Sequence, residues 1–393
     1  MAEENIYYGR GDASMYDDYM DFINYVFGFN GRRDDFKKLL PKLYGPEDDP
    51  AGSSYVAVEN GRIKAAIGAF DHKICVCGQT LKCRSVGNVA VHPYAASRGF
   101  MKTLLHRAVD EMVADGVVLS SLGGRRQRYN YFSYDKTGTS FRFTVNSDNM
   151  RHTYGADRTG LAHFTVKLIG KNDDEMLDAV AALIARQDYA PVRPRERLYD
   201  ILCSWGMQPY ALMDGETFAG YFVVRGGEKI TEIVLAEPTR GNAVKAVISV
   251  YDALGKGTLS FMIAPFGGEF VKVLWPLAEG YQQEPNESFS VLSYLPVCRA
   301  FFDLKARYDR LPDGELCLLI HGQGGDEKLH FSVSGGVPSV EVAGAEEVPV
   351  AEFGHLEAMG VLFAHMYPGR EVLPDFARLW FPLPLWLYAA DEV

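Results

Sequence analysis

The sequence predicts an α+β protein built of three domains. Three observations predict it: a length of 393 residues, a strand–turn–helix–strand pattern that occurs twice, and a change of character after Asn286. Single cores stop growing at roughly 250–300 residues, and about 150 residues per domain gives two or three. The expected partition is 1–150, 151–285 and 286–393. Hydrophobic residues make up 47% and charged residues 23%, which is ordinary globular usage and excludes disordered, collagenous and low-complexity classes.

The elements follow in order. Met15 to Phe29 carries aromatic and aliphatic residues at helical spacing, and Phe36, Leu39, Leu40 and Leu43 continue it. Gly45 to Gly52 is an acidic turn-rich loop. Tyr55–Val58 and Ile63–Phe70 flank Asn60-Gly61, a strong hairpin signal. Val86 to Val91 forms a β-run ending at Pro93. Four residues intervene, and then Arg98-Gly99 opens a helix whose apolar face is Met101, Leu104, Leu105, Ala108, Val109, Met112 and Val113, stopped at Gly116. Val117–Leu122 is the next strand, closed by Gly123-Gly124. The second copy runs from a hairpin (Phe218–Val224, Lys229–Leu235) through Pro238, Arg240-Gly241 and a helix stopped at Gly255, to Leu259–Pro265 and Gly267-Gly268. Its loop is shorter, since Arg240 follows Pro238 by two positions and Arg98 follows Pro93 by five. Beyond Asn286, strands at Leu316–His321, Lys328–Val333 and Ser339–Val342 precede a helix with Leu356, Met359, Leu362 and Phe363, then an apolar tail.

Charge excludes some functions. Forty basic against 51 acidic residues leave a net −11, which disfavours a general nucleic-acid binder because phosphate neutralisation needs a basic surface. Cationic partners remain open. No apolar run reaches the ~20 residues that span a bilayer, since Leu379–Ala390 is broken by Pro382 and Pro384. The first residues, MAEENIYYGR, lack the apolar stretch of a secretory signal, so a cytoplasmic location is expected. Cys75 and Cys77 fall at period 2, on one face of a strand. With Cys83 they lack the second pair of a zinc site, so no metal is expected. Cys203, Cys298 and Cys317 are isolated and read as core.

The chemistry concentrates between Val86 and Tyr134. Backbone N–H groups at a helix N-terminus favour an anion. Gly99 lets that backbone come close to a phosphate, and Arg98 adds a charged donor. The edge of the preceding valine strand could bind an extended amide-bearing ligand by strand addition. An ordinary strand–helix turn is the plain alternative. His92 is read as a strand-end surface residue, Arg125, Arg126 and Arg128 as a solvated loop or local phosphate clamp, and His321–Gly325 as a hairpin turn.

V-x-V-x-P followed by Arg-Gly and a helix resembles the acetyl-coenzyme A motif of the GNAT acyltransferases. Arg128-Tyr129-Asn130-Tyr131-Phe132-Ser133-Tyr134 is similar to the corresponding stretch of the Eis-like (enhanced intracellular survival) subgroup. The resemblance implies two tandem GNAT-like domains, the second degenerate, and a C-terminal domain similar to sterol carrier proteins. It implies acetyl-coenzyme A as co-substrate, with Val89, Ala90 and Val91 along the pantetheine arm and Arg98, Gly99, Phe100 and Met101 around the pyrophosphate. Ala96 departs from the family's usual Gln or Arg three residues before the glycine, which removes a side-chain contribution to phosphate binding. Tyr129 takes the place of the general acid, with Tyr131 and Tyr134 as rivals. The carboxylate of Val393 takes the place of the base, or holds a cationic amine by charge alone. Phe27, Asp34 and Phe36 are candidates to line the acceptor pocket. The expected reaction is acetylation of an aminoglycoside-, polyamine- or lysine-like amine, by a homo-oligomer with a hexamer as one form; the alternative is a degenerate pair that binds a small molecule or lipid.

Overall fold

The computed structural model describes residues 6–29, 35–45, 47–255 and 257–393. The chain is α+β, with three mixed sheets among the described residues, flanked by helices. Its strands in chain order are β1 (Ile6–Arg10), β2 (Ser54–Glu59), β3 (Arg62–Val76), β4 (Gln79–Val91), β5 (Leu119–Leu122), β6 (Asp135–Thr137) and β7 (Ser140–Asn146). There follow β8 (Thr165–Leu168), β9 (Tyr189–Pro191), β10 (Met207–Asp214), β11 (Thr217–Arg225), β12 (Lys229–Leu235), β13 (Thr258–Ile263) and β14 (Gly280–Glu284). The last are β15 (Glu287–Val291), β16 (Gly314–Gly322), β17 (Gly325–Ser334), β18 (Val337–Val342) and β19 (Ala351–Gly354).

The first sheet has the order β1-β2-β3-β4-β5-β15-β6, with β9 on β3. Its hairpin turn at Asn60-Gly61 has positive φ at both residues, 52° and 71°, the conformation that an Asn-Gly pair favours. The helix Phe100–Ala114 crosses from β4 to the parallel β5, burying Phe100, Leu104, Leu105, Ala108, Val109 and Met112. These positions share one stripe at helical spacing and pack on Tyr55, Ala57, Ala65, Ile67 and Val86. Truncating a buried leucine there, Leu104→Ala, costs about 2–5 kcal/mol. Gly116, at φ 70°, lets the chain leave the helix.

The second sheet has the order β14-β7-β13-β12-β11-β10-β8 and repeats the motif, with the parallel β12 and β13 joined by the helix Arg240–Leu254. The third sheet is β18-β17-β16-β19. His321, in the β16–β17 hairpin, bonds Asp326 through Nδ1 at 2.9 Å.

The sheets interleave along the chain. β7 lies before residue 150 but belongs to the second sheet, and β15 lies after residue 286 but is inserted between β5 and β6 of the first. Alternation in a sequence marks a strand without saying which sheet receives it, because the pairing is non-local. The helix Tyr294–Tyr308 was not expected. It buries Tyr294, Val297, Cys298, Phe301, Phe302 and Leu304, and tolerates Pro296 because a first-turn proline forfeits no intrahelical bond. Glu327 accepts from the backbone N–H groups of Tyr294 and Leu295 at 2.6 and 2.9 Å, capping that helix from another strand.

One expectation for the cysteines is corrected. Cys75 lies in β3, but Cys77 has φ 47° and turns the chain into β4, so the two do not share a strand face. Among the described residues no group of three His, Cys, Asp or Glu is placed to hold a metal. No helix of the described chain is long and apolar enough to cross a membrane.

The apolar tail threads between the units. Leu383, Leu385 and Trp386 are buried in the largest core cluster. Tyr189 donates to the Trp386 carbonyl at 2.6 Å. Asn286 and Leu387 exchange two hydrogen bonds, at 2.6 and 3.1 Å. The tail thereby delivers the chain end to the first sheet.

Candidate active site

β4 and β5 run parallel only from Cys83–Leu119 to Val86–Leu122. β5 stops there while β4 continues to Val91, so Gly87–Val91 project past the last β5 partner. Asn88 sits at φ 48°, and the β3–β4 register shifts between Ala66 and Gly68. This is a bulge, which bends a strand and redirects its side chains. A strand running past its neighbour offers backbone groups to an extended ligand.

A cavity of about 340 Å³ opens beside this overhang. Its walls are Val86–Val89 of β4, Ser121 and Gly123 at the end of β5, and Tyr129. Leu387, Glu392 and Val393 of the chain end close one side, and Phe27, Phe36, Leu39, Trp205 and Glu287 complete it. The size falls within the ~300–1,000 Å³ of small-molecule sites. Phe27 and Phe36 meet edge to face at 5.1 Å. Tyr129, Val393, Val89, Phe27 and Phe36, singled out from the sequence, therefore share one cavity. Asp34 lies outside the described residues.

The three candidate tyrosines separate by environment. Tyr134 is fully buried and its hydroxyl is 2.7 Å from Ser120 Oγ, which makes it a core residue. Tyr131 is 83% exposed. Tyr129 is buried and borders the cavity. Its ring occupies the space that a side chain on Gly124 would need, 2.4 Å from the nearest ring carbon, so glycine is required there on contact as well as on its φ of 153°. Burial raises the Tyr129 hydroxyl above its ordinary range, and the nearby Arg128 guanidinium partly opposes that.

The chain end is clamped. Lys42 Nζ donates to the carbonyls of Ala390 and Glu392, both at 2.6 Å. Trp205 Nε1 donates to the same Glu392 carbonyl at 3.1 Å. Arg193 holds Asp391 through Nε and an amino group at 3.0 and 2.8 Å, and Glu232 at 2.8 and 2.9 Å. Burial lowers Lys42 to about 8. Burial, reinforced by the Glu287 carboxylate, raises Glu392 to about 7. Asp391 is lowered, because the Arg193 guanidinium outweighs its burial.

The turn expected to wrap a pyrophosphate is present. Pro93–Ala95 form a single helical turn, and Ser97 and Gly99 have φ of 66° and 83°. Nothing stands within 4 Å of a side-chain position on Gly99, so that face of the loop is open. Arg98 bonds Glu59 through both amino groups, one at 3.0 Å, and lies 4.8 Å from the Phe100 ring centroid. Its charge is thus shared with a carboxylate. The Phe100 ring and Ala90 are core, while Val91 and Met101 are partly buried. Phe100 can therefore serve a ligand through its backbone only. His92 Nδ1 accepts from the Tyr94 N–H at 3.3 Å, and its ring lies against Tyr25. Arg126 is paired with Asp135, 2.9 Å apart through its second amino group.

Lys42, Asn88, Ser121, Trp205, Glu287 and Glu392 were missed. Only Glu392 left a signal, an acid beside the chain end. The second sheet has a larger cavity, of about 610 Å³, lined by Ile233–Leu235 of β12, Phe266–Lys272 and the helix Tyr294–Tyr308. There Thr239 caps the helix by accepting from the Asn242 N–H at 3.2 Å, and the cavity contains none of the residues expected to act.

An overhanging strand, a glycine turn at a helix N-terminus and a cavity between that strand and Tyr129 fit an acetyltransferase of the GNAT fold. Residues 9–138 match the acetyltransferase (GNAT) domain family. Similar solved structures include GCN5-related N-acetyltransferases from Kribbella flavida (17% identity, 99% of each chain, TM-score 0.64) and Anabaena variabilis (10%, 99% of each, 0.65). Eis1 from Mycobacterium abscessus is similar at 13% identity, over 99% of this chain and 100% of that one, with a TM-score of 0.60. At these identities the likeness is one of fold, and it extends over the whole chain. No curated protein sequence matches.

Proposed function

We propose that the protein is an Eis-like N-acetyltransferase that moves the acetyl group of acetyl-coenzyme A to a primary amine in the cavity beside β4. The observation that carries this reading is the meeting of Tyr129 and the chain end in one cavity next to the β4 overhang. The thioester arm would pair with the backbone of Val89–Val91, and its phosphates would meet the Gly99 turn and Arg98. The acceptor would enter past Phe27 and Phe36.

Acetyl transfer needs two proton movements. The amine must lose a proton before its lone pair can attack, and the departing thiolate must gain one. Tyr129 is the proton donor to sulfur, and a carboxylate of the chain end is the acceptor from the amine, with Val393 able to hold the cationic amine by charge alone. Burial raises Tyr129 above its ordinary range, so it protonates a thiolate ordinarily near ~8.5 only because the same desolvation also raises the basicity of a thiolate expelled into the cavity. Net charge of −11 favours a cationic acceptor of the aminoglycoside, polyamine or lysine kind. Residues 286–393 are read as the sterol-carrier-like unit, whose tail supplies the chain end.

The experiment pairs calorimetry with turnover. Acetyl-coenzyme A should bind, and Tyr129→Phe should lower thiol release with a primary amine by roughly 10²–10⁴-fold while leaving cofactor affinity near the wild-type value. No binding at millimolar acetyl-coenzyme A would overturn the reading.

A further inference from the structure

We propose that, within the chain end, the side chain of Glu392 takes the proton from the amine, while the terminal carboxylate of Val393 holds the acceptor's ammonium form. The inference rests on the acyl-transfer reading above and assigns separate tasks to two adjacent carboxylates.

Geometry supports the division. Both residues line the cavity that Tyr129 borders. The Glu392 backbone is fixed, because its carbonyl accepts from Lys42 at 2.6 Å and Trp205 at 3.1 Å. The preceding Asp391 is pinned by Arg193. A side chain carried on so fixed a backbone needs little further ordering to act. The neighbouring Glu287 is committed elsewhere, since its Oε1 accepts from Lys136 at 3.1 Å and from the Ser288 N–H at 2.7 Å.

Chemistry then separates the two. A chain-terminal carboxylate is ordinarily near ~3.5 and so a poor base for an ammonium group. Burial and the negative charge of Glu287 raise Glu392 to about 7, against the opposing pull of Arg225, Lys42 and Lys136. A general base works best with its pKa near the operating pH.

The step balances. The Glu392 carboxylate takes one proton from R–NH₃⁺, leaving the neutral amine. Its lone pair forms the N–C bond to the thioester carbonyl, the C–S bond breaks, and sulfur leaves with the electron pair and takes the Tyr129 proton. The new amide nitrogen gives its surplus proton to the tyrosinate, and Glu392 returns its own to solvent. Ammonium plus thioester gives amide, thiol and one proton.

The test uses the full chain with 1,4-diaminobutane, spermidine and lysine methyl ester as probe amines. Glu392→Gln should lower kcat by roughly 10²–10⁴-fold and abolish the acidic limb of its pH profile. Amine KM should change by less than about threefold, the mark of a group acting in the transition state. Glu392→Asp should restore part of the rate, and adding one glycine after Val393 should raise amine KM. Wild-type kcat with an unchanged acidic limb in Glu392→Gln overturns the proposal while leaving acyl transfer intact. Thiol release from none of the amines overturns the acyl-transfer reading instead. A readout independent of turnover is the carbon-13 signal of side-chain-labelled glutamate that Glu392→Gln removes. Titration of that signal at the ordinary value near ~4.3 also overturns the proposal.

Discussion

The carbonyl carbon of Val393 lies 2.9 Å from the point where a Cβ on Gly87 would stand, and one of its oxygens lies 3.2 Å away. The last residue of the chain is packed against the bulged part of β4, at the one strand that both the cavity and the proposed cofactor edge share. A glycine is required there by close approach: its φ is ordinary, but no side chain fits.

Gly87→Ala should therefore push the chain end out of the cavity and leave the rest of the sheet in place. Contacts under 3.0 Å are not tolerated by real Cβ atoms, and the atoms met are the backbone and side chain of Val393. The expected outcome is a fall in kcat of at least about tenfold, about 1.4 kcal/mol of barrier, with acetyl-coenzyme A affinity in calorimetry little changed. Equal losses in both would show that the glycine serves the cofactor edge instead.

Much of this site is legible in the sequence, for a physical reason. Val89, Gly99 and the helix after it are local: alternation, a glycine at positive φ and a 3.6-residue stripe are written within twenty residues. Tyr129 and Val393 became visible through resemblance to a family. Lys42, Trp205 and Glu392 act through contacts between distant parts of the chain, such as Lys42 with Ala390, and no periodicity encodes those. The same limit explains β7 and β15, which were not among the expected strands and whose sheet partners lie far away in the chain. The partnering of Arg98 with Glu59 was likewise hidden, since it joins the loop to a strand that precedes it by a whole hairpin.

Arg193→Ala should be strongly destabilising. The side chains of Arg193 and Glu232 are 2% and 1% exposed, and Asp391 completes the cluster. Removing the cation leaves two carboxylates buried without their counter-ion, and breaking such a pair costs about 3–5 kcal/mol. The chain end would lose one of its clamps as well. Urea denaturation should show the loss, and Arg193→Ala combined with Glu232→Gln should recover part of it. A single variant with wild-type stability would mean that the cluster is hydrated in solution.

Glu392→Gln should change stability in a direction that depends on pH. Glu392 is raised from an ordinary 4.5 to about 7 in the folded chain, so between those values the folded state holds a proton that the unfolded state has lost. Stability falls with pH wherever the folded state binds more protons. Its contribution is therefore full below pH 4.5 and is lost as pH rises through about 7, because ionisation places a charge in a desolvated position beside Glu287. Glutamine cannot ionise and escapes that loss. The difference in melting temperature, Glu392→Gln minus wild type, should accordingly rise between pH 4.5 and 8, followed by thermal unfolding in matched buffers. A difference that stays flat across that range would show Glu392 to be ionised throughout, with its charge met by Lys42 or Arg225. A rising difference together with lost turnover would mean that the chain tolerates an uncomfortable carboxylate at its end because the cavity uses it.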